Sequence, residues 1–266
     1  MDIAGPRVAL TVAGSDSSGG AGIQADLKTF AAHGVYGVSA ITAITAQNTT
    51  GVASFEPVSA DLVTAQIETV VSDIAVHAAK TGMLPTAAIV EAVAAAVVDL
   101  EIPLLVVDPV MIATSGDRLI DSEAVASMKM ELIPRALVVT PNIPEAEVLA
   151  DMTIATDDDR RTAARRIAAL GAAAVIVKGG HARLRDIVDL LYDGEQFREF
   201  RTERVAGAST HGTGCTFAAA LAAHLARGTP LGDAVPMVQE YIAGALRSAP
   251  GLGRGHGPMN HFWKLY

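Results

Sequence analysis

The sequence contains little cysteine, few aromatic residues and a small share of basic residues. One cysteine among 266 residues cannot form an internal disulfide, so a reducing cytoplasm is the expected location. No segment reaches the roughly 18 uninterrupted apolar residues of a membrane span, and no basic stretch followed by an apolar run marks a signal peptide. The net charge of -9 argues against nucleic acid, whose phosphates need a basic surface. We expect a cytoplasmic protein that binds small molecules, without nucleic acid or membrane partners.

Apolar residues are abundant, at 50% of the chain, and occur in short runs that alternate with stretches of helical period. Such a pattern is typical of a parallel sheet covered by helices on both faces. We predict one domain over residues 1–266, an α/β sandwich whose mostly parallel sheet carries a late antiparallel hairpin. Strands are predicted at 8–13, 35–45, 76–80, 104–107, 136–139, 174–178, 187–192 and 195–202, with a turn at 47–51. Helices are predicted at 23–33, 59–73, 85–100, 121–132, 157–170, 217–226 and 231–247, with Pro85 in a first helical turn.

Ligands of such sheets bind beyond the carboxyl ends of the strands. The stretch from Ala208 to Phe217 combines this position with two glycines, Gly212 and Gly214, just before a long Ala/Leu run. A helix start leaves backbone N–H groups without partners, and glycines let a phosphate approach them. The other interpretation is an ordinary glycine loop before a core helix.

The common phosphate and catalytic motifs are absent. Gly14–Gly19 and Gly207–Gly212 have the glycine spacing of a Walker A loop, but glycine and threonine follow them where lysine is required. The dinucleotide fingerprint in residues 20–25 lacks its acidic partner, since no acidic residue lies between Asp26 and Glu56. Zinc motifs and the serine-hydrolase elbow are also missing. What remains is a phosphate turn of a different design.

Cys215 lies in the middle of this turn. Beside a transferred phosphate it could act as a general base or orient an acceptor hydroxyl, and a helix N-terminus is expected to lower its pKa. It could also be a small buried apolar residue.

Polar residues at other strand ends suit phosphoryl transfer. Asp108, Asn142 and Glu145 offer oxygen ligands for a hydrated Mg²⁺, and Lys178 is placed to contact phosphates. Alternatively, Asn142 and Glu145 cap a helix and Lys178 reaches solvent.

Together these residues form a set of motifs that resembles the hydroxymethylpyrimidine/phosphomethylpyrimidine kinase family of thiamine biosynthesis, in the ribokinase-like superfamily. The resemblance runs from about Val8 to Trp263. The motifs that carry it are residues 12–26, 45–48, 80–84, 108–110, 140–145, 178–181, 210–215 and the tail 251–262.

The resemblance implies a three-layer α/β/α fold and an enzyme dependent on ATP and Mg²⁺. Such an enzyme phosphorylates 4-amino-5-hydroxymethyl-2-methylpyrimidine and then converts the monophosphate to the diphosphate. Gln47 would hydrogen-bond the pyrimidine, Asp26 would lie near it, and Gly14, Met83 and Val110 would line the pocket.

The resemblance assigns the phosphate end of the site as well. Gly212, Thr213 and Gly214 would form an anion hole with Cys215 as the base candidate, where related sugar kinases carry aspartate. ATP would be held by Lys178, Asn142 and Thr213, and Mg²⁺ by Asp108 and Glu145 through water.

Several further expectations come from the same resemblance. The loops before Asn48 are short, so we expect little β lid. The family favours a homodimer, and with the last residue at Tyr266 we expect no fused synthase domain. A pyridoxal kinase of the same superfamily and a non-catalytic vitamin-binding protein on this fold remain alternatives.

Overall fold

A computed structural model describes residues 5–112, 116, 119–180, 186–207 and 209–265. His181 and Ala208, which belong to two of the motifs above, lie outside these ranges. The described residues form an eight-stranded sheet in the order β10-β9-β8-β7-β6-β5-β1-β2 and a separate two-stranded sheet, β3-β4. The strands are β1 Val8–Ala13, β2 Tyr36–Ile41, β3 Ala43–Asn48, β4 Gly51–Pro57, β5 Ala78–Thr81, β6 Leu105–Val107, β7 Val138–Val139, β8 Ala174–Val177, β9 Asp186–Tyr192 and β10 Phe197–Glu203.

The large sheet is parallel from β2 to β8, while β9 and β10 run antiparallel to their neighbours. The predicted mostly parallel sheet with a late antiparallel hairpin is therefore confirmed. Eight α-helices accompany the strands in the described part of the chain. They are α1 Gly22–Ala32, α2 Ala60–Val71, α3 Ala87–Asp99, α4 Ser122–Ser127, α5 Ile143–Ala150, α6 Asp157–Ala168, α7 Thr213–Ala226 and α8 Leu231–Arg247.

Two cores lie on opposite faces of the large sheet. One core joins strand residues such as Leu10 and Val107 to α2, α3, α5 and α6. The other joins their neighbours Ala9 and Val106 to α1, α7 and α8. Successive strand residues point to opposite faces, so these short apolar strands are buried on both sides. The fold is the expected three-layer α/β/α sandwich.

The largest departure from the predicted elements lies in residues 35–57. One strand was expected through residue 45, but the chain leaves the large sheet at Thr42, and β3 pairs with β4 instead. Gln47 lies in β3 and not in a turn, with a register shift between Ala46 and Gln47. Because β3 alternates buried and exposed residues, it fits a half-covered hairpin and not a buried strand.

This hairpin also corrects the expectation of little lid. Val52 and Phe55 of β4 pack with Ala43, Met83 and Val110, which ties the hairpin to the loops after β5 and β6. The carboxyl edge of the large sheet therefore has a short two-stranded cover.

Smaller differences concern helix boundaries. Pro85 precedes the N-cap Thr86 and is not in the first turn of α3. Helix α5 was expected only in the alternative in which Asn142 and Glu145 cap a helix, and α7 begins at Thr213, four residues before the predicted start. The predicted helix at 121–132 is α-helical to Ser127 and continues as a π-turn. No described helix has the length and apolar character needed to cross a membrane.

A buried histidine of α7 makes the fold sensitive to acid. Burial, aided by the nearby His33, lowers the pKa of His224 from 6.5 to about 4, and the two rings are 5.0 Å apart. Between these pH values the unfolded chain binds a proton that the folded protein does not bind. Stability is therefore lost as pH falls from 6.5 towards 4, by an amount on the order of 3 kcal/mol. We expect His224→Phe to flatten the decline of melting temperature over this range.

Thermal unfolding followed by circular dichroism from pH 7.5 to 4.5 checks this expectation. His256→Phe, at an exposed histidine, serves as the control and should keep the wild-type slope. Parallel slopes for the His224 variant and wild type would contradict it.

Candidate active site

The start of α7 has the backbone geometry of an anion site. Gly212 is the N-cap, with φ +79°, and it supplies no capping side chain. Thr213 N donates to Thr210 O at 3.4 Å, while the N–H groups of Gly214 and Cys215 have no hydrogen-bond acceptor among the described residues and can bind a ligand. A Cβ at Gly212 would overlap the carbonyl oxygen of Gly20. Glycine is therefore needed both for the left-handed conformation and for the close approach of the Gly14–Gly22 loop.

Two charged side chains face this helix start. Lys178 Nζ is 2.9 Å from Asp108 Oδ1. A Cβ at Gly214 would be 3.4 Å from Lys178 Nζ and 3.7 Å from Asp108 Oδ2. Burial lowers the pKa of Lys178, but the carboxylates of Asp108 and Glu145 outweigh it and the net shift is upward. The lysine is therefore charged and points into the site, which excludes the alternative that it reaches solvent.

Asp108 and Glu145 supply two buried carboxylates. Asp108 Oδ2 has no hydrogen-bond partner among the described residues. Burial raises the pKa of Glu145 to about 7, since the lowering by Lys178 is opposed by Asp108. Two carboxylates are a set that suits a hydrated Mg²⁺ shared with substrate phosphates. No group of three or more metal-binding side chains occurs in the described part of the chain, so an all-protein cage is not present there.

Asn142 and Glu145 also have the structural role considered as an alternative. They form a capping box at the start of α5, with Glu145 N donating to Asn142 Oδ1 at 2.9 Å and Asn142 N donating to Glu145 Oε2 at 2.8 Å. Asn142 pairs with Lys178 in a parallel bridge between strand ends. The cap thus fixes Glu145 beside Lys178 and Asp108.

Cys215 is half-buried in the first turn of α7. Burial raises the pKa of its thiol to about 11. The Lys80 ammonium lowers that pKa, while Asp26 and Asp108 raise it further. The expected depression by the helix N-terminus is therefore wrong for the free protein, because loss of water and two carboxylates outweigh it.

The predicted apolar lining residues do lie together. A Cβ at Gly14 would be 3.1 Å from Met83 Sδ and 3.6 Å from the carbonyl oxygen of Ala43. Met83 and Val110 pack with Phe55 of the hairpin. These residues form one apolar wall between the first loop and the β3–β4 hairpin.

Gln47, in strand β3 of the hairpin, extends its side chain towards the anion turn. Its Nε2 is 3.5 Å from Nε2 of His211, one residue before Gly212. Asp26, which was expected near the pyrimidine, is fully buried in an ion pair with Lys80. It lies beneath the site and not on its open surface.

Sequence reasoning missed Asp16 and His211. Asp16 Oδ2 is 2.8 Å from His211 Nε2 and accepts from Gly20 N and Ala21 N at 2.9 and 2.7 Å. Burial raises the pKa of Asp16, but hydrogen bonds from His211 and Ser18 outweigh it and hold it below its ordinary value. An aspartate within a glycine-rich loop is the signal that could have found this contact, because Asp side chains commonly bind nearby backbone N–H groups.

The glycine-rich tail is also part of the site wall. His211 N donates to Gly257 O at 3.2 Å, and Gly255 N donates to Thr49 Oγ1 at 3.3 Å. Thr49 is at the tip of the hairpin and His211 in the anion turn. The tail therefore connects the two, which explains why residues too rich in glycine for a helix or strand adopt a defined path.

An anion-binding helix start, an inward lysine and two carboxylates at the carboxyl edge of a parallel sheet define a phosphotransferase-type site. Comparisons with known proteins agree. A family model described as phosphomethylpyrimidine kinase matches residues 16–260. The chain therefore belongs to the phosphomethylpyrimidine kinase family, whose members use ATP as phosphate donor and share the ribokinase-like fold.

Three relatives show how close the similarity is. The chain is 52% identical to a thiamine biosynthesis bifunctional protein of Geobacter sulfurreducens, covering 95% of this chain but 51% of that protein, about half its length. It is 48% identical to the hydroxymethylpyrimidine/phosphomethylpyrimidine kinase of Bacillus subtilis, covering 96% and 94% of the two chains. Among solved structures, an ADP complex of Bacillus subtilis pyridoxal kinase superposes with a TM-score of 0.90 at 40% identity, covering 97% and 98%.

Proposed function

We propose that this protein phosphorylates the hydroxymethyl group of 4-amino-5-hydroxymethyl-2-methylpyrimidine with ATP, and then the resulting monophosphate to the diphosphate. One observation carries the proposal. The backbone at the start of α7 lies close to the ammonium of Lys178 and the carboxylate of Asp108. A Cβ at Gly214 would be 3.4 Å from Lys178 Nζ and 3.7 Å from Asp108 Oδ2, and these two side chains are 2.9 Å apart. Such a set of groups is what phosphoryl transfer needs for charge stabilisation.

The phosphates of ATP would bind on the backbone N–H groups of Gly212, Thr213 and Gly214. Lys178 supplies a cation that Asp108 already holds in place. Asn142, whose backbone forms a parallel bridge with Lys178, would add its amide to the same phosphate site. A preorganised cation and helix dipole lower the energy of the transferred group without reorganising water.

The carboxylates of Asp108 and Glu145 would hold Mg²⁺, in part through water. Support comes from Asp108 Oδ2, which has no partner among the described residues, and from the raised pKa of Glu145, because a cation would pair with that oxygen and stabilise the ionised Glu145. When bound, Mg²⁺ neutralises phosphate charge. Glu145 must lose its proton to serve, so nucleotide affinity should weaken as pH falls below about 7.

The pyrimidine would lie against the wall formed by Gly14, Met83 and Val110, with Gln47 at its edge. A neutral amide both donates and accepts, which matches an aminopyrimidine edge. Cys215 would face the hydroxymethyl group. In its thiolate form the sulfur takes the hydroxyl proton as the oxygen attacks the γ-phosphorus, and ADP leaves with the electrons of the broken P–O bond.

Pyridoxal is the second candidate substrate, because a solved pyridoxal kinase matches the fold over 97% of this chain. A non-catalytic vitamin-binding protein is the third. Mass spectrometry of products, with kcat/KM for each alcohol, separates all three. We expect the pyrimidine monophosphate first and the diphosphate later, at an efficiency above that for pyridoxal. A higher pyridoxal efficiency overturns the substrate, and tight binding without any product overturns the catalytic function.

Gln47→Ala tests the substrate edge of the site. Loss of a hydrogen-bonding amide should raise KM for the pyrimidine about tenfold and leave KM for ATP within about twofold, since one hydrogen bond contributes roughly 0.5–1.5 kcal/mol. Steady-state kinetics with each substrate varied gives both constants. Gln66→Ala, at a glutamine of α2 remote from the anion turn, is the matched control. An unchanged pyrimidine KM for the Gln47 variant would reject its proposed role.

We also propose a single catalytic domain that works in the cytoplasm as a homodimer. Support for dimerisation comes from apolar residues near the edge strand β2. Tyr36 is 58% exposed, Ile44 61% and Leu62 55%. Light scattering should then give twice the chain mass of 27.4 kDa, and a value near one chain mass would reject the dimer.

A further inference from the structure

A buried lysine below the candidate site has no role in the scheme above. Lys80 lies in β5, paired with Thr11 of β1, and its side chain is completely buried. Its strand neighbour two residues earlier, Ala78, belongs to the core that contains α7. Because residues two apart share a face, Lys80 points to the side of the sheet that α7 covers.

The ammonium is held near the carboxyl edge of the sheet. Lys80 Nζ donates to Asp26 Oδ2 at 2.8 Å, and Thr11 Oγ1 donates to the same oxygen at 2.6 Å. A Cβ at Gly82 would be 2.8 Å from Nζ, so the glycine after β5 leaves space for the ammonium. Asp26 Oδ1 has no partner within the described ranges.

This pair is hard to explain by stability. Removing two charges from water costs several kcal/mol per ion, and apolar replacements of buried pairs are often neutral or stabilising. The pair is also incompletely satisfied, since a lysine has three donors and Asp26 is the sole recorded partner of Lys80 among the described residues. A functional contribution is therefore the better explanation.

Strand β5, which carries Lys80, packs against α7, and Cys215 lies in the first turn of that helix. The charges that act on the Cys215 sulfur come from four elements. Lys80 of β5 and Lys178 after β8 are positive, while Asp26 of α1 and Asp108 after β6 are negative. Lys178 is already neutralised by Asp108 at 2.9 Å. Among these groups, Lys80 has the largest effect in favour of negative charge on the sulfur.

We propose that Lys80 is a positioning residue for phosphoryl transfer, whose buried ammonium, held by Asp26 beneath the start of α7, sets how readily the Cys215 sulfur carries negative charge. Asp26 tunes this effect by partly neutralising the lysine. The part of Lys80 in phosphoryl transfer rests on the proposed function. Its effect on the charge of the Cys215 sulfur is a property of the free protein and needs neither ATP nor pyrimidine.

Alkylation of the single cysteine by iodoacetamide tests the proposal directly, because the rate follows the thiolate fraction and no other thiol interferes. At pH 8.5 we expect Lys80→Met to slow alkylation about fivefold and Asp26→Asn to accelerate it about fivefold. A fivefold change in thiolate fraction corresponds to a change of about 0.7 in the thiol pKa, which the removal of one neighbouring charge can produce. Lys129→Met, at a lysine that binds the remote Val148 carbonyl, is the control and should match wild type.

Opposite changes in the alkylation rates of the two single variants distinguish an effect of charge from an effect of loosened packing around the sulfur. A structural defect would expose the sulfur and accelerate alkylation in both. The double variant Asp26→Asn/Lys80→Met keeps the shape without charge, and it provides the test if either single variant fails to fold. The alkylation rate of the double variant should be below that of wild type, and it should rise with pH at the same slope as the wild-type rate.

Two results overturn the proposal. They are wild-type rates in the Lys80→Met or double variant, and changes of the same sign in both single variants. Failure of the proposed function appears elsewhere, as absence of phosphorylated product from the wild-type protein. The two failures are therefore distinguishable.

Discussion

Replacing Gly214 by valine should lower kcat/KM for ATP-dependent phosphorylation about 10³-fold, or about 4 kcal/mol of transition-state stabilisation. A side chain at this position would enter the space between the start of α7, Lys178 and Asp108. The transferred phosphate would then be displaced from the N–H groups that hold it. Since Gly214 does not have the left-handed φ of Gly212, the backbone can accept valine without strain.

Gly232→Val is the matched control. Gly232 is also the second residue of a long helix, α8, and the atoms nearest to a Cβ there belong to the guanidinium of Arg198, which is half exposed and can move. Both variants should unfold near the wild-type temperature, and only the Gly214 variant should lose activity. Activity within tenfold of wild type for Gly214→Val would contradict an anion site at this helix start.

Replacing Cys215 by alanine should lower kcat of the first phosphorylation about 10²-fold and leave KM for ATP nearly unchanged. The second phosphorylation should be much less affected, because its acceptor is a phosphate oxygen that is already ionised at neutral pH. The two steps thus provide an internal comparison within one variant. Separate assays starting from the alcohol and from the monophosphate measure it.

The pH dependence of the first step decides how Cys215 acts. With a thiol pKa of about 11, the thiolate is scarce at neutral pH, so wild-type kcat should rise about tenfold per pH unit over pH 6–8.5. Cys215→Asp should give a flatter profile in the same range, because a carboxylate is ionised throughout. A flat wild-type profile would mean that the sulfur only orients the hydroxyl.

The fold was largely predictable because its signals are local. Apolar runs between helical stretches, such as Val8–Ala13 and Ala174–Val177, are buried on both faces and read as parallel strands. The β3–β4 hairpin was missed because β3 continues the Val- and Thr-rich run of β2 after one residue, Thr42. Only pairing with a distant partner shows where a strand leaves one sheet for another.

The site was predictable where a residue follows a strand end and less so where burial decides its chemistry. Lys178 and Asp108 converge because they follow the parallel strands β8 and β6, which only β7 separates in the sheet. Helix α7 brings Gly214 to the same edge. The raised pKa of the Cys215 thiol and the burial of Asp26 depend on groups brought in from other elements. Pairwise contacts of this kind, like that of Asp16 with His211, have no period or spacing in the sequence.

A crystal structure with a non-hydrolysable ATP analogue, Mg²⁺ and the pyrimidine bound together tests the central claim most directly. We predict the γ-phosphate on the backbone N–H groups of Gly212 to Cys215, Lys178 in contact with it, and the hydroxymethyl group between that phosphate and the Cys215 sulfur. A triphosphate bound away from the start of α7, with Lys178 still paired only to Asp108, would contradict the account.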